Sequence, residues 1–260
     1  MSQLQAEPIR YIGITGFMTR RGVEIALSFM PKSTKLKLMV GVLASSKTLS
    51  GKINRYPNRY PNVENIANIF TDDPRALNLI HYGTDNQEDV VPELERLVGL
   101  GGQNLHGFQL NMTWPDREKL VYFKSKHPDK YLVLQIGGKA MVVIDGYQDL
   151  RYRIQNYYDP QGDKIIDAIL LDPSGGKGVS FNPDKERKRL SNLQEFKFLG
   201  KGVAGGLGGP DTNRLLSGLG YFAKGISVDA EGNLRTSDGH DALDMDKVRE
   251  YLKNAYSRLE

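Results

Sequence analysis

The chain's most reactive pattern is a carboxylate at the tip of an apolar run, with small residues directly behind it. Ile169-Leu-Leu-Asp172 is followed, two residues on, by Gly175, Gly176 and Gly178. Glycine lets backbone N–H groups approach an anion closely, because no Cβ intervenes. A carboxylate ending a buried strand can exchange a proton with whatever occupies that loop. The same grammar returns at Gly202-Val-Ala-Gly205-Gly206-Leu207 and, more loosely, at Ile226-Ser-Val-Asp229-Ala-Glu-Gly232. Asp172 and Asp229 are therefore candidate proton carriers. Gly175, Gly176, Gly178, Gly205, Gly206 and Gly232 are candidate phosphate ligands, and Pro210 and Asp211 open a helix whose N-terminus would add to an anion site. The plain alternatives are a structural Asp172 capping its loop, and glycines that only turn strand into helix.

Other strand ends add to this set. His81 is a candidate proton carrier, since an imidazole titrates near 6.5; a hydrogen-bonded structural histidine is the alternative. Gln109, Asn111 and Gln135 could bind sugar hydroxyls. Trp114 could stack on a ring or staple the start of a helix. His240, between Asp238 and Asp241, suits a capped turn better than a metal site, so no metal is expected. The tandem Arg55-Tyr-Pro-Asn58, Arg59-Tyr-Pro-Asn62 is too short for a solenoid. It suits a lid or substrate clamp, a surface loop or an oligomer contact, which leaves a homodimer open.

Strands are expected over 10–15, 36–43, 76–81, 106–110, 131–136, 167–172, 196–203 and 226–228. They alternate with helices over 22–30, 62–70, 89–98, 115–126, 146–158, 184–193, 211–219 and from 245 onward. Strict alternation implies parallel strands joined by crossover helices. An open doubly wound sheet satisfies it too, but eight units in 260 residues favour a closed (β/α)8 TIM barrel as one domain over 1–260, with its site at the carboxyl ends of the strands.

Hydrophobic residues make up 39% of the chain and charged ones 25%, enough for a core. The net charge of +4 is spread; its densest run, Asp184-Lys-Glu-Arg-Lys-Arg189, reads as a solvated helical turn, so no nucleic acid is expected. No apolar run approaches a bilayer-spanning length and the N-terminus carries no secretory pattern, so the expectation is no membrane and a cytoplasmic location. The absence of cysteine removes disulfides, thiolate metal sites and cysteine nucleophiles. No cofactor is called for.

Taken in order, these strand ends resemble the phosphoribosylanthranilate isomerase family. Ile169-Leu-Leu-Asp172 with Gly175-Gly-Lys-Gly178 and Phe181 is similar to that family's Leu-Leu-Asp, Gly-Gly-Thr-Gly and aromatic. Ala204-Gly-Gly-Leu207 with Pro210 and Asn213 resembles its Ala-Gly-Gly-Leu, Pro and Asn. Val228-Asp229, Gly239, Asp241 and the helix from Lys247 resemble its last unit, Ile14-Thr15-Gly16 its Ile-Cys-Gly, and Phe108-Gln109-Leu110 its Val-Gln-Leu. The resemblance implies a (β/α)8 barrel that isomerises a phosphorylated sugar amine. An acid would protonate the furanose ring oxygen and a base would take the C2 proton. It makes Asp172 the acid and places Thr15 where the family carries its cysteine base, a position a hydroxyl fills poorly near neutral pH. It also implies an arginine after strand two, where Ser45-Ser46-Lys47 stands, and Glu231 would repel a phosphate if it pointed inward. His81 or Asp229 would then serve as base, or the substrate has changed. The partner expected is a phosphorylated small molecule. The alternatives are a non-catalytic barrel that binds a phosphorylated metabolite or a protein, and another barrel activity using Lys139 as a Schiff-base lysine.

Overall fold

The computed structural model describes residues 7–158, 164–174 and 179–260. Eight parallel strands close into a barrel in sequence order: β1 Tyr11–Thr15, β2 Lys37–Ser45, β3 Ala76–Gly83, β4 Gly107–Asn111, β5 Tyr131–Gly137, β6 Ala168–Asp172, β7 Gly200–Ala204 and β8 Ser227–Ala230. The ring is sealed where Ile12, Gly13 and Ile14 pair with Val228, Asp229 and Ala230. The expected barrel is therefore present. Its strands read as nearly continuous apolar runs because both faces are covered, one by helices and the other by the opposite wall.

Alternation sorts each strand into two faces. Ile12, Ile14, Val40, Ile80, Phe108, Leu134, Leu171 and Val228 belong to the large core between strands and helices. Tyr11, Met39, Leu77, Leu79, Val133, Ala168 and Leu170 form a second cluster that fills the barrel interior. Glycines make room for these side chains. A Cβ on Gly107 would stand 1.9 Å from the Tyr131 carbonyl oxygen, and one on Gly13 2.7 Å from the Met39 methyl. Continuing the inward parity toward the carboxyl ends reaches Thr15, His81, Gln109, Gln135, Asp172 and Asp229, so the interior becomes polar only in its upper layers.

Helices Arg20–Ser28, Arg117–Lys126, Pro183–Asn192 and Met245–Leu259 start on Thr19, Asp116, Asn182 and Asp244. Each of these side chains accepts from first-turn amides, as N-caps do. Several elements differ from expectation. The seventh strand begins at Gly200, because Leu199 turns back to donate to the Phe196 carbonyl and buries its side chain beside that residue. The segment 62–70 is a 3-10 turn, Val63–Asn65, running into the short helix Ile66–Ile69; Asn62 caps the turn. An unexpected helix, Gly138–Val142, follows β5 directly. Strand β3 runs two residues past His81. No helix among the described residues is long and apolar enough to cross a membrane.

Candidate active site

At the carboxyl ends of the strands a cavity of about 60 Å³ is lined by His81, Asn111, Gln135, Asp172, Asp229 and the two turns at 204–207 and 230–233. Its acidic side chains are tied together from below. Thr15 donates its hydroxyl to Asp229 at 3.1 and 3.0 Å from the two carboxylate oxygens. The Gln109 amide donates to Asp229 Oδ2 at 3.0 Å and to Gln135 Oε1 at 3.1 Å. Gln135 Nε2 in turn donates to Asp172 Oδ2 at 2.9 Å, and Ser174 closes the chain by giving Asp172 Oδ1 its N–H at 3.1 Å and its hydroxyl at 2.6 Å. Two amides thus connect carboxylates from β6 and β8, and each amide's orientation is dictated by the one before it.

Thr15 and Gln109 are fully buried, whereas Asp229, Asp172 and His81 retain 5%, 4% and 6% exposure at the cavity wall. Burial pushes the Asp229 carboxyl up to about 7; the Gln109 and Thr15 hydrogen bonds resist this, while the negative charges of Glu231 and Asp172 add to it. The ordering follows from desolvation, which penalises a charge more than two neutral donors can repay. Burial likewise lowers the His81 pKa, against the pull of Glu231, Asp172 and Gln135. Neither His81 ring nitrogen finds a hydrogen-bonding partner among the described residues. The imidazole is therefore neutral at pH 7 and free to meet a ligand.

Between the two carboxylates lies the glycine turn after β7, the strand that separates β6 from β8; a Cβ on Gly205 would stand 3.4 Å from Asp172 Oδ1. Gly205 and Gly206 have φ of +106° and +69°, a region that costs an L-residue its Cβ clearance. A Cβ on Gly206 would lie 2.3 Å from Ser180 Cα. The turn is locked to its neighbours: Asn233 Nδ2 donates to the Gly206 carbonyl at 2.9 Å, Phe181 N to the Gly205 carbonyl at 3.3 Å, and Gly208 N to Thr212 Oγ1 at 2.9 Å. The N–H groups of Gly205, Gly206, Gly232 and Asn233 donate to no acceptor among the described residues. Unpaired amides of two successive loops at one cavity suit an anion. Gly175, Gly176 and Gly178 lie outside the described residues.

The structure thus brings Asp172, Asp229, His81, Gln135, Asn111, Gly205, Gly206 and Gly232 to one cavity, with Thr15 and Gln109 beneath it. Trp114 is committed elsewhere: its indole donates to the Ala140 carbonyl at 3.0 Å and stacks on Tyr157. Lys139 is exposed and paired with Asp85. Asp238 accepts from Thr236 and from His240 N, and no group of three or more metal-ligating His, Asp or Glu side chains occurs among the described residues.

Two arginines absent from the expected set line a neighbouring groove beside Gly232 and Asn233. Arg235, only 4% exposed, donates to the carbonyls of Thr15 and Asp241 and fills the space where a Cβ on Gly16 would sit. Arg59, from the tandem repeat, reaches Glu231 and Asp241. The repeat was the available signal for Arg59, whereas nothing in the local pattern marked Arg235.

No protein-family model and no curated protein sequence matches the chain. Among solved structures, phosphoribosyl anthranilate isomerase from Thermus thermophilus superposes with a TM-score of 0.62 at 14% identity, over 95% of this chain and 98% of that one. N-(5'-phosphoribosyl)anthranilate isomerase from Pyrococcus furiosus gives 0.63 at 12% identity, over 95% and 99%. The carboxyl transferase domain of Rhizobium etli pyruvate carboxylase gives 0.58 at 13% identity, over 97% of this chain and 49% of that one. At such identities the likeness establishes the shared barrel, and the chain is a (β/α)8 barrel similar in fold to these proteins.

Proposed function

We propose that this barrel binds a phosphorylated sugar or sugar amine and isomerises it by acid–base chemistry. The observation that carries the reading is the placement, around one cavity, of two buried carboxylates and two loops whose amides meet no acceptor among the described residues. The phosphate would rest on the amides of Gly205, Gly206, Gly232 and Asn233, as anions do where backbone N–H groups converge. Asp172 is assigned to donate a proton to the furanose ring oxygen; the C1–O bond breaks and the amine lone pair forms C1=N. Asp229 then accepts the C2 proton, and the freed electron pair forms C1=C2 while the C=N electrons return to nitrogen. The resulting enolamine tautomerises to the ketose, so no other reactant is required. Asp229 suits the role that the Thr15 hydroxyl cannot fill, because a base with a pKa near 7 matches neutral operation. Thr15 and Gln109 act as positioning residues that aim it, and His81 offers a neutral imidazole for a hydroxyl.

A second reading is favoured by one observation. The cavity holds about 60 Å³, well under the roughly 300 Å³ usual for a small-molecule site, which suits a barrel that grips a phosphorylated metabolite by its phosphate alone and leaves the rest outside. Assay of phosphoribosylanthranilate and related aminoaldose phosphates, with wild type and Asp172→Asn, separates the two. Turnover that falls by about 10²–10⁴ in the variant, with phosphate affinity retained, supports the enzyme. Binding without turnover in wild type sinks it in favour of the binding protein.

A further inference from the structure

Glu231 presents a difficulty at this mouth: it lines the same cavity wall as Gly232 and Asn233, where a carboxylate opposes any anion. The tandem repeat, in the loop after β2 and so one strand removed from β8 in the ring, supplies the countercharge. Arg59 Nη1 donates to Glu231 Oε1 at 2.8 Å, while Nε and Nη2 grip both oxygens of Asp241 at 2.7 and 2.9 Å. The guanidinium also lies 4.3 Å from the centroid of the Tyr56 ring, and Asn58 Nδ2 donates to the His240 carbonyl at 3.2 Å. Asp241 is held in turn at φ +53°, with its carbonyl accepting from Arg235. One planar fork therefore spans two carboxylates from the segment after β8, and its own side chain is only 14% exposed.

We infer that Arg59 is a positioning residue that sets the anion affinity of this cavity: by holding Glu231 in an ion pair, and with Arg235 offsetting the charges of Glu231 and Asp241, it lets a phosphate occupy the amides of Gly232 and Asn233. The inference rests on reading the cavity as a phosphate site. A bidentate fork suits the task better than a lysine, since it fixes both carboxylates in one plane. Without it, Glu231 stands unpaired beside the ligand in a partly desolvated setting, where like charges repel strongly. The first repeat copy does not substitute, because Arg55 makes no ion pair among the described residues, its guanidinium lying 5.1 Å from the Tyr56 ring centroid.

Calorimetric titration of the whole chain with inorganic phosphate, and separately with ribose 5-phosphate, tests this in wild type, Arg59→Ala, Glu231→Gln and the double variant. Arg59→Ala should weaken phosphate binding at least tenfold. Glu231→Gln alone should hold or raise affinity, and the double variant should return to within about threefold of wild type. An unchanged Arg59→Ala, or a double variant as weak as Arg59→Ala, overturns the inference, since a purely structural strap is not rescued by removing a charge. Should Arg59→Ala fail to fold, Glu231→Gln decides alone: a drop in its affinity overturns the role assigned to the pair. Wild type that binds neither ligand instead overturns the phosphate site itself.

Discussion

Asp229→Asn is expected to cut turnover by about 10²–10⁴ and, at the same time, to make the protein more stable at pH 8. Burial raises the Asp229 carboxyl to about 7, against about 3.9 in an unfolded chain. A carboxyl whose folded value is raised contributes stability that is fully present below the unfolded value and lost as pH rises through the folded one. Between about pH 4 and 7 the folded state therefore binds the extra proton, and above pH 7 it must carry a buried charge. Three pH units correspond to roughly 4 kcal/mol lost across that window as an upper figure. Asparagine keeps an acceptor for Thr15 and Gln109 yet cannot ionise, so its stability should change little there. Urea unfolding at pH 5 and pH 8 reads this directly. Wild-type stability that stays level between those values would remove Asp229 as a neutral-range base, whatever the kinetics show.

Gly206→Ala should be the most damaging small substitution at the site, costing about 2–4 kcal/mol, or a melting point lower by roughly 5–15 °C for a chain of this size. The φ of +69° is strained for alanine, and the new methyl would lie 2.3 Å from Ser180 Cα, which is backbone and cannot swing aside. Relief requires the turn to move, and with it the Asn233 bond to the Gly206 carbonyl; phosphate affinity should fall in step. Gly232→Ala is the matched control, since nothing lies within 4 Å of its Cβ position, and its stability should shift by less than about 0.5 kcal/mol. Equal losses in both variants would show that the close approach at Gly206 is not what holds the turn.

The two predictions share one physical origin. Active sites retain features that cost stability, a buried carboxylate in one case and a strained turn in the other, because chemistry or binding needs them. The first of these costs falls on the hydrogen-bonded run from Thr15 through Asp229, Gln109, Gln135 and Asp172 to Ser174. Every member of it is an inward-pointing residue of a strand or the first residues beyond one.

Residue order alone was enough for the barrel, its eight units and the positions of Asp172, Asp229 and the paired glycines. Parallel strands covered on both faces print an apolar run into the chain, and a period of two assigns each strand end to one face. Such signals are local, lying within a few residues of one another. Boundaries were less legible at 196–203 and 62–70, where a turn formed by side-chain and backbone hydrogen bonds overrode an apolar stretch. What the tertiary structure alone decided are the pairings across the ring. Thr15 meets Asp229 over 214 residues, Arg59 meets Glu231 over 172, and Arg235 reaches back 220 to the Thr15 carbonyl. Closure of β1 against β8 creates those contacts, and no periodicity along the chain encodes which charge will stand beside which once the ring is shut.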